Sequence, residues 1–304
     1  MTSLDQFSAQ SLSAVLAELD LADRMDRLSR YKPYPRQMEF HLAGATHRER
    51  TFLAGNQLGK TIAGGAELAM HLTGRYPKWW QGRRWDRPII AWAAGITGES
   101  TRDNPQRMLL GRAGEGGAGL YDGTGMIPAE TISTVSRALG VSNLADGVRV
   151  KHASGGTSAL AFKFYEKGRE KWQGETLDLV WFDEEPPEDI YAEGLTRTNA
   201  TGGRVWLTFT PLLGMSEVVR RFLYEPSADR LDINMTIEDA LHYAPEERAR
   251  IIASYPAHER DARVKGIPIL GSGRIFPVVE ESITFDAMAF PKQWPSLAAL
   301  DFGW

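Results

Sequence analysis

The segment Ala54-Gly55-Asn56-Gln57-Leu58-Gly59-Lys60-Thr61 constrains this chain most. It follows a short apolar run, Thr51-Phe52-Leu53, and opens a stretch of helical periodicity from Ile62 to Leu72. Strand, glycine turn and helix in that order are the context of a P-loop. Backbone N–H groups of such a turn, with those of the helix N-terminus, surround a phosphate chain. In this reading Gly55, Asn56, Gln57, Leu58 and Gly59 form the cradle. Lys60 reaches the β- and γ-phosphates of ATP, and the Thr61 hydroxyl binds Mg2+. The usual pattern begins with glycine, whereas Ala54 stands at that place here. Alanine fits only if φ there is negative, which makes this a variant loop. The competing reading is an ordinary strand-to-helix turn with an exposed lysine.

At 304 residues the chain has room for a full α/β domain and something smaller. Its 42% hydrophobic and 24% charged content describes a soluble globular protein. A net charge of −4 excludes a global basic footprint, so DNA binding would need a local patch, an oligomeric channel or partners. The lack of cysteine excludes disulfides and cysteine metal sites, and fits a reducing compartment. No signal peptide is expected, because no basic segment followed by an apolar core opens the chain. The longest apolar run, Pro88 to Ala94, is too short to span a bilayer.

Leu12, Val15, Leu16, Leu19 and Met25 recur at helical spacing, predicting an amphipathic N-terminal arm over 1–30, packed on the main domain or on a partner. Tyr31-Lys32-Pro33-Tyr34-Pro35 ends it. Thr51–Ala54, Pro88–Gly95, Leu177–Phe182 and Arg204–Phe209 read as strands. Val148–Ala153 and Ala159–Tyr165 read as a β-hairpin closed by a five-residue loop. Residues 111–125 hold seven glycines and read as a loop. Strands alternating with helices predict an α/β fold, a P-loop NTPase with a mostly parallel sheet covered by helices on both faces, over 31–225. After residue 225 the texture changes: a strand at Leu231–Met235, a helix from Pro245 and a loop at Gly271-Ser272-Gly273 suggest a small C-terminal linker region over 226–295.

The strand Leu177–Phe182 runs into Asp183-Glu184-Glu185. This places acids at the carboxyl edge of a parallel sheet, where ligands bind. Asp183 takes the Mg2+ role and Glu184 the role of a base that polarises the attacking water, with Glu185 in reserve. A solvated acidic turn is the plain alternative. Thr208 and Thr210, at i and i+2, share one side of the strand ended by Pro211 and suit a γ-phosphate sensor. The alternative is threonine chosen for strand propensity. Gln37 could pair with an adenine edge, and Tyr34 or Phe40 could stack on the ring; otherwise Gln37 is a surface residue after a turn.

These four pieces in this order resemble the ATPase half of the large terminase subunit of tailed bacteriophages, from about residue 30 onward. The likeness rests on Gln37 at the adenine-motif position, the deviant P-loop 55–61, the Walker B pair Asp183-Glu184, and the coupling motif Thr208-Phe209-Thr210-Pro211. The resemblance implies an additional-strand ATPase in which Lys60 and Thr61 bind phosphate and Mg2+, Asp183 organises the metal and Glu184 is the base. It implies that Thr208 and Thr210 couple hydrolysis to movement. Some members carry a P-loop arginine where Asn56 and Gln57 stand here, which raises the need for an arginine from a neighbouring subunit. Arg169 fits that slot, with Lys171 and Arg102 as further candidates and a surface charge as the alternative for each.

The resemblance further implies double-stranded DNA, a small terminase subunit and a portal protein as partners, and a homo-oligomeric ring docked on a procapsid. The place of action would be the cytoplasm of the infected host cell, with no membrane involved. Complete members continue into an RNase H-like nuclease domain whose first strand ends like Ala298-Ala299-Leu300-Asp301-Phe302-Gly303-Trp304, so 296–304 would be its start and Asp301 its first metal-binding acid. With no later acids, DNA cleavage is expected to be absent from this chain. The rival readings are another P-loop translocase or helicase, and a truncated nucleotide-binding remnant. Arg83, Arg84 and Arg87 near Trp79, Trp80 and Trp85 are candidates for DNA contact, against the plainer reading of a loop around a tryptophan cluster.

Overall fold

A strand with no solvent-facing side chain sets the architecture. The computed structural model describes residues 9–113, 119–256 and 259–268. Strand β1, Glu49–Ala54, is buried along its whole length. It lies between two parallel neighbours, β7 (Arg204–Phe209) and β8 (Arg230–Met235). The sheet continues through β6 (Leu179–Asp183), β2 (Ile90–Gly95) and β5 (Thr157–Phe164), all parallel. Two antiparallel strands, β4 (Ala145–Lys151) and β3 (Ile132–Arg137), complete the edge. The order is β3-β4-β5-β2-β6-β7-β1-β8. β7 separates the P-loop strand from the strand that ends in Asp183, the additional strand of the predicted class. No helix among the described residues is long and apolar enough to cross a membrane.

Strand parity explains the two cores. Side chains alternate across a strand, so a continuous apolar run serves both faces. Ala91, Ala93, Leu179, Trp181, Trp206 and Phe52 enter one core. Helices α2 (Pro35–Ala43) and α3 (Lys60–Thr73) contribute to that core; the short helices α4 (Gly98–Thr101) and α5 (Arg107–Leu110) follow β2, and Leu109 and Leu110 of α5 are buried in the same core. Trp92, Ala94, Val180, Phe182, Val205 and Leu207 enter the other, which takes in α6 (Glu188–Arg197) and α7 (Glu217–Leu223). By the same parity, Asp183 and Thr208 point to the α3 face. β3 escapes a sequence reading because none of its positions is buried.

Helix α1 (Ala9–Met25) forms as expected, but Val15, Leu16, Leu19 and Leu21 are exposed. Packing of that stripe on the main domain is therefore not observed. Leu28 and Tyr31, in the turn that follows, are the residues that reach the core. The expected boundary at 225 also fails: β8 lies beyond it and hydrogen-bonds to β1 within the same sheet. Helix α8 (Pro245–Ser254) begins at the predicted proline. Helix α9 (Arg260–Lys265) packs behind the P-loop, so close that a Cβ on Gly55 would lie 1.8 Å from the Arg263 carbonyl oxygen. β8 and α9 thus buttress the site rather than merely lead away from it.

One ion cluster is enclosed between β1, α2 and α3. Arg50, Glu67, His41 and His71 are all fully buried. The Arg50 guanidinium donates to both Glu67 oxygens, at 2.6 and 3.2 Å, and to the Phe40 carbonyl at 2.6 Å. His41 Nδ1 lies 2.7 Å from Glu67. Burial alone would raise the Glu67 carboxyl, but Arg50 and the two histidines outweigh it and hold the group well below the usual range. Removing one partner of such a pair strands the other charge in the core, at a cost of about 3–5 kcal/mol. Glu67→Ala is therefore expected to lower the stability of the folded chain by about that amount in urea unfolding, and Glu67→Gln by less, because it keeps an acceptor for Arg50. A variant as stable as the parent would show that the cluster contributes nothing net.

Candidate active site

The turn between β1 and α3 has the backbone of a phosphate cradle. Ala54 ends β1 in strand conformation, paired with Met235, and is not among the residues of positive φ. This is why alanine serves where glycine is usual. Gly59 has φ of 94°, a conformation that glycine adopts without strain, and Gln57 sits at 59°. Lys60 begins α3, so the free N–H groups of its first turn face the loop.

Six predicted residues are gathered at that helix start. Lys60 Nζ donates to Thr210 Oγ1 at 3.0 Å and lies 3.9 Å from Glu184 Oε1. Thr61 Oγ1 donates to Asp183 Oδ1 at 3.0 Å. Thr208 Oγ1 donates to the same oxygen at 2.8 Å and accepts from Trp181 Nε1 at 2.8 Å. Thr208 is thus committed to orienting Asp183. Thr210 is the threonine that touches Lys60; it also donates to the Ala54 carbonyl at 2.8 Å. Gly64 leaves room for this arrangement, since a Cβ there would meet Trp181 Nε1 at 2.6 Å.

Glu184 is the strained member. Its φ of 72° lies in the left-handed region, which costs a non-glycine residue of order 1–3 kcal/mol. Two bonds hold it there: its N–H donates to the Thr208 carbonyl at 3.0 Å, and Tyr165 OH donates to its carbonyl at 2.8 Å. The turn aims Glu184 at Lys60. Glu185 instead lines an apolar cleft with Ile96, Pro186 and Leu213, which removes the reserve base from the lysine. Burial raises the Glu184 carboxyl, against the pull of Lys60. Burial, with the adjacent Glu184 charge, pushes Asp183 up to about 7. A hydroxyl and a carboxylate side by side are hard oxygen donors. Among the described residues no three His, Cys, Asp or Glu side chains form a metal cage. Mg2+ characteristically binds through one or two carboxylates together with substrate phosphates, so Thr61 and Asp183 fit that ion.

The remaining candidates are placed differently. Gln37 is buried and latches α2 to the loop, its Nε2 donating to the Gly59 carbonyl at 2.9 Å. Its carbonyl accepts from Tyr34 N at 2.9 Å and Tyr31 OH at 3.4 Å, leaving one amide hydrogen for a base. Phe40 is packed in the core against Phe52 with no exposure, so it offers no face to a base, and Tyr34 has one face stacked on His242. Arg169 is exposed and pairs with Glu193 on α6 at 3.1 Å, away from the cluster. Arg102 pairs with Asp103 at 2.7 Å, and the Lys171 side chain is exposed. Arg83 lies over Trp85, Arg84 over Tyr76, and Arg87 pairs with Asp178 at 2.6 Å, around the buried Trp80 and Trp85. Asp301 and the segment 296–304 lie outside the described residues. Tyr165 and Trp181 were not legible as site residues. The single hint is that Trp181 shares strand parity with Asp183.

Residues 51–283 match the family model described as Terminase large subunit, T4likevirus-type, N-terminal. The chain is 48% identical over 294 residues to the large terminase subunit of Salmonella phage P22, an alignment covering 91% of this chain and 58% of that protein. It is 50% identical over 131 residues to the large terminase subunit of Enterobacteria phage LP7, covering 43% of this chain and 28% of that protein. Among solved structures, the large terminase of a thermophilic bacteriophage matches with a TM-score of 0.55 and 16% identity, over 79% of this chain and 54% of that one. The large terminase ATPase domain of Thermus phage P74-26 matches with a TM-score of 0.53 and 16% identity, over 80% of this chain and 96% of that one. The first of these two terminases has been solved in complex with ADP and with ATP-gamma-S. The chain spans 58% of the length of the P22 relative. It belongs to the family of large terminase subunits.

Proposed function

We propose that this chain is the ATP-hydrolysing part of a motor that drives double-stranded DNA into a viral procapsid. The observation that carries it is the approach of Glu184 to Lys60, at 3.9 Å, beside the Thr61–Asp183 contact of 3.0 Å. The backbone of Gly55 to Lys60 cradles the phosphates, and Lys60 neutralises charge on the β- and γ-groups. Glu184 orients a water molecule whose oxygen attacks the γ-phosphorus. The bond to the bridging oxygen breaks, ADP leaves, and the water proton passes to Glu184. Thr61 and Asp183 would hold Mg2+, which screens the negative charge of the phosphates. Thr210 links Lys60 to the end of β7 and is the coupling residue; Thr208 supports it through Asp183.

Arg169, exposed on its 3-10 turn, is assigned to the active site of a neighbouring copy in a ring. The portal protein, the small terminase subunit and the host cytoplasm complete this reading, which rests on membership of the family. The nucleotide complexes of the thermophilic-phage relative support ATP as the substrate.

Lys60→Ala is expected to abolish ATP binding. Glu184→Gln is expected to retain it and to lose about 10²–10⁴-fold in kcat, as measured by phosphate release with double-stranded DNA present. Normal turnover by Glu184→Gln would remove that residue from the role of base. Wild-type protein that binds ATP yet never hydrolyses it, with DNA, portal and small subunit present, would overturn the motor reading.

The raised Asp183 carboxyl makes a second test. The folded chain holds this proton more tightly than the unfolded chain does. Its contribution to stability therefore falls as pH rises from the ordinary carboxylate range to about 7. A divalent cation competes with the same proton, so metal binding strengthens over that window. The thermal shift given by Mg2+ with ADP is expected to be larger at pH 8 than at pH 6, and Asp183→Asn should remove the difference. Equal shifts at the two pH values would detach Asp183 from the metal.

A further inference from the structure

Beside the P-loop helix lies a basic cleft that no assigned role uses. A cavity of about 690 Å3 runs past Ile62 and is lined by Arg24, Arg27, Arg30, Lys32 and Arg112. A second, of about 420 Å3, adjoins it, sharing Arg27, Arg112 and Thr124, and is lined by Thr61 and Arg107. The two form one trough leading to the side chain that follows Lys60.

The charge in this trough is unbalanced. Arg24 and Arg30 are paired with Asp20 and Asp23. Arg27, Lys32 and Arg112 have no ion pair or side-chain hydrogen bond among the described residues. Neither acid that lines the trough is ion-paired with a guanidinium that lines it. Asp103 pairs with Arg102, and Asp122 Oδ1 accepts from Arg112 N, Thr124 N and Thr124 Oγ1. Arg27 is half-buried, and burial, followed by the neighbouring Arg30, weakens its hold on its proton. A half-buried guanidinium without a counter-charge is costly unless an anion joins it.

The nearest anion site is the phosphate cradle itself. Residues 54–59 contain no cation, so Lys60 is the cradle's only basic side chain. A triphosphate carries more negative charge than one lysine and one divalent cation balance. We propose that Arg27 and Arg112 are nucleotide ligands of this same chain, their forks gripping the phosphate chain of a bound nucleoside triphosphate where it passes Thr61. This rests on the ATP reading above. Arginine suits the task because its planar fork binds two phosphate oxygens at once. Nucleotide is favoured over DNA because the trough reaches Thr61 on the first turn of α3.

The test is equilibrium binding of fluorescent ATP, ADP and AMP to the full chain, comparing wild type, Lys60→Ala, the double variant R27Q/R112Q and the double variant R27K/R112K. The glutamine pair is expected to weaken ATP at least about tenfold, the loss of one charge-assisted hydrogen bond, with a smaller effect on ADP and little on AMP. The lysine pair should recover part of the loss, and the salt dependence of ATP binding should flatten in the glutamine pair. An unchanged urea midpoint without nucleotide separates a ligand role from a folding role. ATP affinity unchanged in R27Q/R112Q, while Lys60→Ala abolishes it, would overturn the inference and leave the ATPase reading standing. Unchanged ATP affinity with weakened duplex binding would assign the trough to DNA phosphates instead. Wild-type protein that binds no ATP would overturn both.

Discussion

The Arg50–Glu67 pair fixes the two elements between which the P-loop is stretched. Arg50 lies on β1 and Glu67 on α3, and the loop from Gly55 to Gly59 joins them. A charged pair with no exposure is a poor device for stability alone, since a well-packed apolar pair could replace it. It is a good device for orientation. A guanidinium that bonds two carboxylate oxygens and the Phe40 carbonyl admits little rotation or sliding of its neighbours. His41 ties α2 to the same carboxylate and meets Tyr31 OH at 3.0 Å. Tyr31 in turn bonds Gln37, which holds Gly59. A continuous polar chain therefore runs from the core to the P-loop. Distortion at one end is carried to the other, because a buried network that loses one bond leaves a group unsatisfied.

The site shows a division of labour among the acids that their adjacency in sequence does not reveal. Asp183 completes β6, points to the α3 face and is fixed by two threonine hydroxyls. Glu184 follows at positive φ, and that one dihedral turns its side chain toward Lys60. Glu185 is carried to the apolar cleft beside α7. Three consecutive carboxyl residues thus enter three environments, and the strained φ in the middle is the cause. Tyr165 and the Thr208 carbonyl offset that strain with two hydrogen bonds, each of about 1 kcal/mol net.

Much of this was readable in the chain. The octet 54–61, the apolar runs of β1, β2, β6 and β7, and the Asp183-Glu184 pair after a strand all carry periodicity or local chemistry. Those features fix the fold class and the gathering of Lys60, Thr61, Asp183 and Glu184. What was hidden depends on contacts between segments far apart in sequence. Neither Arg50 in an apolar strand nor Glu67 in an apolar helix reveals that the other will neutralise it. β3 has no buried side chain, so its pattern carries no strand signal. β8 was legible as a strand but not as a member of the main sheet, because strand order is a tertiary property. The role of Gln37 changed for a similar reason: its amide is spent largely on protein partners that only the fold brings to it.

The burial of β1 on both edges carries a mechanical consequence. A parallel strand between β7 and β8 cannot shift without breaking ladders on both sides. Thr210, one residue past β7, bonds the Ala54 carbonyl and accepts from Lys60. Behind the same loop, the Arg263 carbonyl of α9 occupies the space that a Gly55 side chain would need. In the proposed reaction, a shift of Lys60 on loss of the γ-phosphate would meet a rigid strand and would not be absorbed by β1. On that reading it would pass to the other partners of the loop: forward through Thr210 into the turn after β7, or backward through Gly55 onto α9. The glycine at position 55 is what keeps the second route in contact, because any larger residue would force α9 away from the loop.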